Sequence, residues 1–297
     1  MGTGKYIAAV FIGSCSYGIL STIVKFSYEQ GISPSIVIVS QFVIGWILML
    51  SLQLLITNQP RLRMKQAMLL MLAGIPTGLV GVFYYLSLAR LDASIGIILL
   101  FQFAWLGVLL NSIVKKVLPS KKTIISLVLL ILGTVLASDI GGNFNLNPLG
   151  VILGLLAAVS YTLFVFLNDK LLPELHPAQR SFYMVSGSLI TVLVVFAYQL
   201  FDIINQGHIQ FSWTNSIFLG LFGVVIPPFL FAYGMPHIGS SMGSILGAAE
   251  LPVAVICSIF ILNEQVTVLQ QLGVLIIFLA IIIANVRFAK RKTIQEL

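Results

Sequence analysis

Charge is what this chain has least of. Only 8% of its 297 residues are charged, while 59% are hydrophobic. A soluble domain carries roughly 25% charged residues, so there is too little here to cover a water-facing surface. Histidine is scarce as well. His176, His208 and His237 fall between apolar runs, and no HExxH pattern occurs, which removes the usual zinc-hydrolase reading. The two cysteines, Cys15 and Cys257, both lie inside apolar runs. They read as small apolar fillers and support neither a disulfide framework nor a metal site. No GxxxxGK[ST] pattern is present, so ATP is not expected as a direct driver. No cofactor is expected.

Long apolar runs are there instead. Spans of about 20 residues read at 5–24, 35–57, 67–89, 94–114, 123–139, 149–168, 181–201, 214–235, 240–262 and 268–287. The expectation is an all-α membrane protein with ten transmembrane helices. The first run lacks a small-residue cleavage site and reads as a span, not a signal peptide.

Net charge is +7, which by itself could suggest a nucleic-acid partner. The placement of the basic residues argues otherwise. With loops alternating and the N-terminus inside, fourteen of the sixteen Lys and Arg fall on the inner side, Arg180 among them, and Lys25 and Arg90 fall outside. That imbalance is the positive-inside pattern. Both termini are expected in the cytoplasm, in a cell membrane such as a bacterial plasma membrane. The basic tail 290–297 is expected to attract anionic lipid, and no nucleic acid is implied.

The ten runs divide into two fives. At a constant offset of 147, Ser94, Gly96, Ile98 and Leu99 match Ser241, Gly243, Ile245 and Leu246; at 144, Ser16–Tyr17 matches Ser160–Tyr161. Repeats are expected at 1–140 and 148–289. An odd number of crossings sends the second repeat in from the opposite face. The halves are then inverted about an axis in the membrane plane, with a site between them near the midplane.

Nine residues are acidic, and Glu250 alone stands in mid-span. A charge at the bilayer centre costs roughly 2.5–3.5 kcal/mol on insertion scales, so such residues usually face an interior and serve function. Glu250 is expected to bind a substrate amine or carry a coupling proton; the alternative is a structural hydrogen bond to a neighbouring helix. Pro252 follows it and removes a donor for the Ala248 carbonyl, and Pro227–Pro228 in the eighth span and Pro76 in the third raise the same question. Each could simply kink its helix for packing. Gly239, Gly243 and Gly247 make a small-residue stripe that reads as a packing groove. Further polar or aromatic candidates are Ser14, Tyr17 and Ser21; Thr77, Gly81 and Tyr84; Gln102 and Trp105; and Tyr161 and Asn168. Those nearest mid-span are Tyr17, Tyr84, Gln102, Trp105 and Tyr161. With Glu250 they are the expected binding residues, suited to a small amphipathic organic solute.

In one further respect the chain resembles a known family. The stretch AAELPVAVICSIFILNEQVTVLQQLGVLIIFLAIIIA carries Glu250, Pro252, Glu264, Gly273 and Ala280. Tyr17 with Lys25, and Tyr161 with Lys170, set an aromatic ahead of a basic residue in the first helix of each half. The pattern is similar to EamA-type transporters of the drug/metabolite transporter superfamily. It departs from them in having Tyr where many members have Trp, and Phe103 and Trp105 where the second half has Glu250 and Pro252. The resemblance implies a pocket among the first, third, fourth, sixth, eighth and ninth helices. Residue by residue, Glu264 reads more simply as a cap on the tenth helix. The reading that follows is a secondary transporter, an exporter of small metabolites or amino acids by alternating access. The alternatives are a non-transporting receptor or partner subunit, and an intramembrane enzyme, for which the spans offer no catalytic set.

Overall fold

The computed structural model describes residues 3–55, 62–88, 90–91, 93–137, 147–206, 211–262 and 267–291. Every regular element among them is helical. The first half holds α1 (Gly4–Glu29), α2 (Pro34–Leu55), α3 (Met64–Leu88), α4 (Ala93–Leu100), α5 (Phe103–Lys115) and α6 (Lys121–Ala137). The second holds α7 (Pro148–Lys170), α8 (Pro177–Gln206), α9 (Trp213–Gly220), a π-turn (Leu221–Val225), α10 (Ile226–Ile238), α11 (Ser240–Gly247), α12 (Glu250–Leu262) and α13 (Val268–Arg291).

Local chemistry explains where these helices begin. Pro34, Pro148 and Pro177 each occupy a first helical position, where the missing N–H is no loss and φ is already helical. Asn147 Oδ1 accepts from Gly150 N at 3.1 Å. Thr267 and Gln270 cap α13 reciprocally: Thr267 N donates to Gln270 Oε1 at 2.8 Å, and Gln270 N to Thr267 Oγ1 at 3.3 Å. Glu264, expected to cap this helix, lies outside the described residues. Gly239 separates α10 from α11 at φ +82°, a left-handed conformation that glycine adopts without a Cβ penalty.

Among the described residues, eight helical stretches are long and apolar enough to cross a membrane. α6 has 17 residues, and α13 contributes the shorter apolar segment Val268–Ala284. The periphery is greasy and the interior partly polar. Leu54, Val194 and Phe260 are exposed, whereas Ser14, Thr162, Asn168 and Arg180 are buried. Inside the bundle, buried hydroxyls bond main-chain oxygens, as Ser188 Oγ does to Gly74 O at 2.7 Å. Arg180, read from the sequence as a loop charge, instead sits fully enclosed in the first turn of α8. Its guanidinium reaches main-chain oxygens of α7 and α10.

The packing repeats under exchange of the halves. α1 packs on α10 as α7 packs on α3, and α1 packs on α11 and α12 as α7 packs on α4 and α5. α8 lies on α3 as α2 lies on α9 and the π-turn; α2 meets α8 and α6 meets α13, each the other's counterpart. Glycines bring the backbones together. A Cβ on Gly74 would strike the Met184 carbonyl, and one on Gly187 the Met71 carbonyl, where α3 crosses α8. Gly133 and Gly273 do the same between α6 and α13.

Candidate functional site

Two spans are broken, at equivalent places. The fourth interrupts at Phe101–Gln102 between α4 and α5, the ninth at Ala248–Ala249 between α11 and α12. The hydrogen bonds correspond at the same offset of 147. Gln102 N donates to Leu99 O as Ala249 N does to Leu246 O; Ala104 N donates to Phe101 O as Leu251 N does to Ala248 O. Pro252 therefore does not leave the Ala248 carbonyl free, because Leu251 N reaches it at 3.3 Å. Nor is proline needed for such a break, since the fourth span has none.

What fills the two breaks differs. In the fourth span, the tightened turn takes Gln102 N away from Ile98 O. The Gln102 side chain replaces it, with Nε2 donating to Ile98 O at 2.8 Å, and Trp105 Nε1 clasps Gln102 Oε1 at 2.7 Å. In the ninth span the position of Gln102 is Ala249, and the position of Phe103 is Glu250, the first residue of α12.

Glu250 is half-buried as a residue, but its Oε2 is shut off from solvent and has no hydrogen-bond partner among the described residues. No described basic side chain pairs with it. Tyr17 of α1, Tyr84 of α3 and Tyr161 of α7 all lie within electrostatic reach of its carboxyl. Tyr161 Oη is likewise buried without a partner. Rings continue the wall. Tyr17 meets Tyr161 with centroids 6.2 Å apart and Phe231 at 6.1 Å; Phe103 lies 4.2 Å from Tyr161; Phe164 stacks on Phe231 at 5.5 Å. Two glycines allow this closeness: Gly18 lies against the Glu250 main chain, and Gly247 lies under the Phe103 ring. Chemically, the group is a lone carboxyl in an aromatic surround, an arrangement that suits a cation or a transferable proton.

Tyr17, Tyr84, Tyr161 and Glu250 are thus brought together. Gln102 and Trp105 face elsewhere. With Leu127, Leu130, Ile131 and Thr134 of α6 they line a small hollow of about 20 Å³, which ends on Ala248. Trp105 is 36% exposed at its mouth. Ser14 Oγ turns back to Val10 O at 2.9 Å, and Asn168 Nδ2 to Phe164 O at 3.0 Å. Thr77 Oγ1 is buried without a partner among the described residues. The side chain of Ser21 lies outside the described residues, as does His208. His237 stacks on Tyr6, centroids 3.6 Å apart. Cys15 and Cys257 are free thiols.

The break before Pro227–Pro228 takes a different form. The π-turn sends Ile226 N back to Leu221 O, and Pro227 has no N–H to offer. Phe222 O thereby loses both helical donors, and Ser16 Oγ of α1 supplies one at 2.7 Å. Sequence reading set Phe103 opposite Glu250 and Ser16 in the repeat match without making either a site residue, and it passed over Phe164, Phe231 and Gly18.

Comparison with known proteins agrees with this architecture. One solved structure, titled "Crystal structure of protein", superposes with a TM-score of 0.76 at 14% identity, covering 93% of this chain and 98% of that one. The likeness extends to the fold alone. Comparison with curated proteins finds no match. The profile of the EamA-like transporter family matches twice, at residues 4–139 and 148–286. Two matched repeats spanning nearly the whole chain, on a bundle of apolar helices, identify a multi-pass membrane protein: the chain belongs to the EamA-like transporter family.

Proposed function

We propose that the protein is a secondary transporter that exports a small amine-bearing metabolite or amino acid by alternating access. The observation that carries this reading is Glu250, whose buried Oε2 has no partner among the described residues at the break of the ninth span, with Tyr17, Tyr84 and Tyr161 within electrostatic reach. Direct solute contact belongs to these four residues. The contribution of Gln102 and Trp105 comes through the hollow that ends on Ala248. The carboxyl binds the solute's ammonium group or exchanges a proton against it. The aromatic faces attract the same cation through their quadrupoles.

In this reading α6 and α13 cross the bilayer with the other eight stretches, giving ten crossings and two inverted repeats. Both termini then face the cytoplasm, and the plasma membrane is the site of action. The exchange of packing partners between halves supports a scaffold with two near-equivalent states. The free energy for transport comes from solute or proton gradients.

Reconstituted into liposomes, the protein should move a candidate amine without ATP, in a pH-dependent manner. Glu250→Gln should abolish the flux or its pH dependence. An unchanged rate and pH profile would exclude the role given to Glu250.

A further inference from the structure

A second polar group lies between Glu250 and one end of the bundle. Arg180 of α8 is fully enclosed. Its Nη1 donates to Ala232 O on α10 at 2.8 Å, and its Nη2 to Asn168 O on α7 at 2.7 Å. The residue after Asn168 is Asp169. Asp169 is itself buried. It accepts from Ser240 N, the first residue of α11, at 3.0 Å, and pairs with Lys170 Nζ at 3.2 Å. Ser240 Oγ then reaches Asn111 Oδ1 on α5 at 3.4 Å. Next to Arg180, Ser181 Oγ donates to Pro228 O on α10 at 3.0 Å. So α5, α7, α8, α10 and α11 are tied at a single place. It is the end of the bundle where Lys115 closes α5, and where Tyr6 stacks on His237.

Ser240 and Glu250 are ten residues apart along the ninth span, roughly 15 Å at 1.5 Å per residue. A solute leaving the carboxyl towards this end would have to part these contacts. The opposite end is built differently. There Asn215 of α9 donates to Ser27 Oγ and Gln30 Oε1 at the end of α1, both at 3.0 Å. Those groups are neutral. At the repeat offset of 144, Asp169 corresponds to Lys25 and Arg180 to Ile36. A pseudo-symmetric scaffold makes its two states nearly equal in energy, and a charged network that the described residues show at one end removes that equality. It is also incompletely satisfied: Arg180 Nε and Asn168 Oδ1 are buried without partners among the described residues. That lowers what is lost on opening.

We propose that Arg180, which grips α7 at Asn168 O while the adjacent Asp169 accepts from the start of α11, is the latch that holds the Glu250 site closed on the Lys115 face. This is a positioning role, and it rests on the alternating-access reading above. It sets the resting state as one shut on that face.

The reporter is Ser244, fully buried on α11 between Ser240 and Glu250. Ser244→Cys is placed in a Cys15→Ala, Cys257→Ala background and reconstituted. A membrane-impermeant methanethiosulfonate is applied to vesicles of either sidedness. The background should label slowly from the Lys115 face. Because labelling follows the population of a minor open state, Arg180→Gln and Asp169→Asn should each speed it by roughly tenfold from that face alone. Arg180→Lys, with one donor group in place of a fork, should fall between. Labelling that is unchanged, or that rises equally from both faces, overturns the proposal and leaves Arg180 a packing staple. Should Arg180→Gln fail to fold, Asp169→Asn decides, because it leaves the Arg180 bonds in place and weakens only the charge-assisted bond from Ser240 N. The labelling needs no solute, so its outcome is separate from the flux test on Glu250.

Discussion

Gly18 lies so close to the main chain of Glu250 that a Cβ on it would come within 2.5 Å of the Glu250 carbonyl oxygen. The same Cβ would meet Val253 Cβ at 2.7 Å and Ala254 N at 3.0 Å. The approach of α1 to α12 thus has backbone on both sides and nothing flexible to give way. Gly18→Val should separate the two helices, lowering stability by about 1–3 kcal/mol and moving Tyr17 away from the carboxyl. Thermal unfolding in detergent should show the first effect and solute flux the second. A melting temperature unchanged from the parent would show that the helices do not press together here.

Tyr161 offers a cleaner separation of binding from folding. Its Oη makes no hydrogen bond with any described residue, so Tyr161→Phe removes nothing the fold uses. Stability should stay within about 0.5 kcal/mol of the parent. If the hydroxyl meets the solute, the KM for transport should rise about fivefold, the worth of one hydrogen bond near 1 kcal/mol. A loss of stability with KM unchanged would be the opposite outcome and would remove Tyr161 Oη from the site.

Gln102→Leu should leave Ile98 O without its side-chain donor and Trp105 Nε1 without its acceptor. Stability should fall by about 1 kcal/mol. Amide exchange at 101–106 should quicken while that at 248–253 stays as it was. Equal exchange in parent and variant would show that the Gln102 side chain is not what holds the break in the fourth span.

Ser16→Ala tests the π-turn. With the hydroxyl gone, Phe222 O has neither a helical nor a side-chain donor. A cost of about 1 kcal/mol is expected. Ser16→Thr should keep the bond and the stability. A neutral Ser16→Ala would mean that another donor serves this carbonyl.

Much of the candidate site was legible before any coordinates. Glu250 could be picked out because it is the one acid in the middle of an apolar run. Tyr17, Tyr84 and Tyr161 could be picked out as polar-tipped rings at similar depth. The error over Arg180 has a plain source. Basic residues beside a loop normally mark the membrane edge, and only the docking of α8 against α7 and α10 shows this one enclosed. Gln102 and Trp105, named together from the sequence, do meet, Trp105 Nε1 donating to Gln102 Oε1. Their distance from Glu250 depends on how the break rotates α5 relative to α4. Apolar periodicity carries no signal for that rotation, and the break itself lacks the proline that would have flagged it.

By itself, the sequence determined the class of the protein, the run of helices and the residue that does not belong in lipid. Partition between oil and water acts on each residue where it stands, so those features can be read locally and summed. Which polar groups meet was decided only by tertiary structure. Glycine contacts set how closely the helices approach, and two broken spans set which way their faces turn. Both depend on segments far apart in the chain.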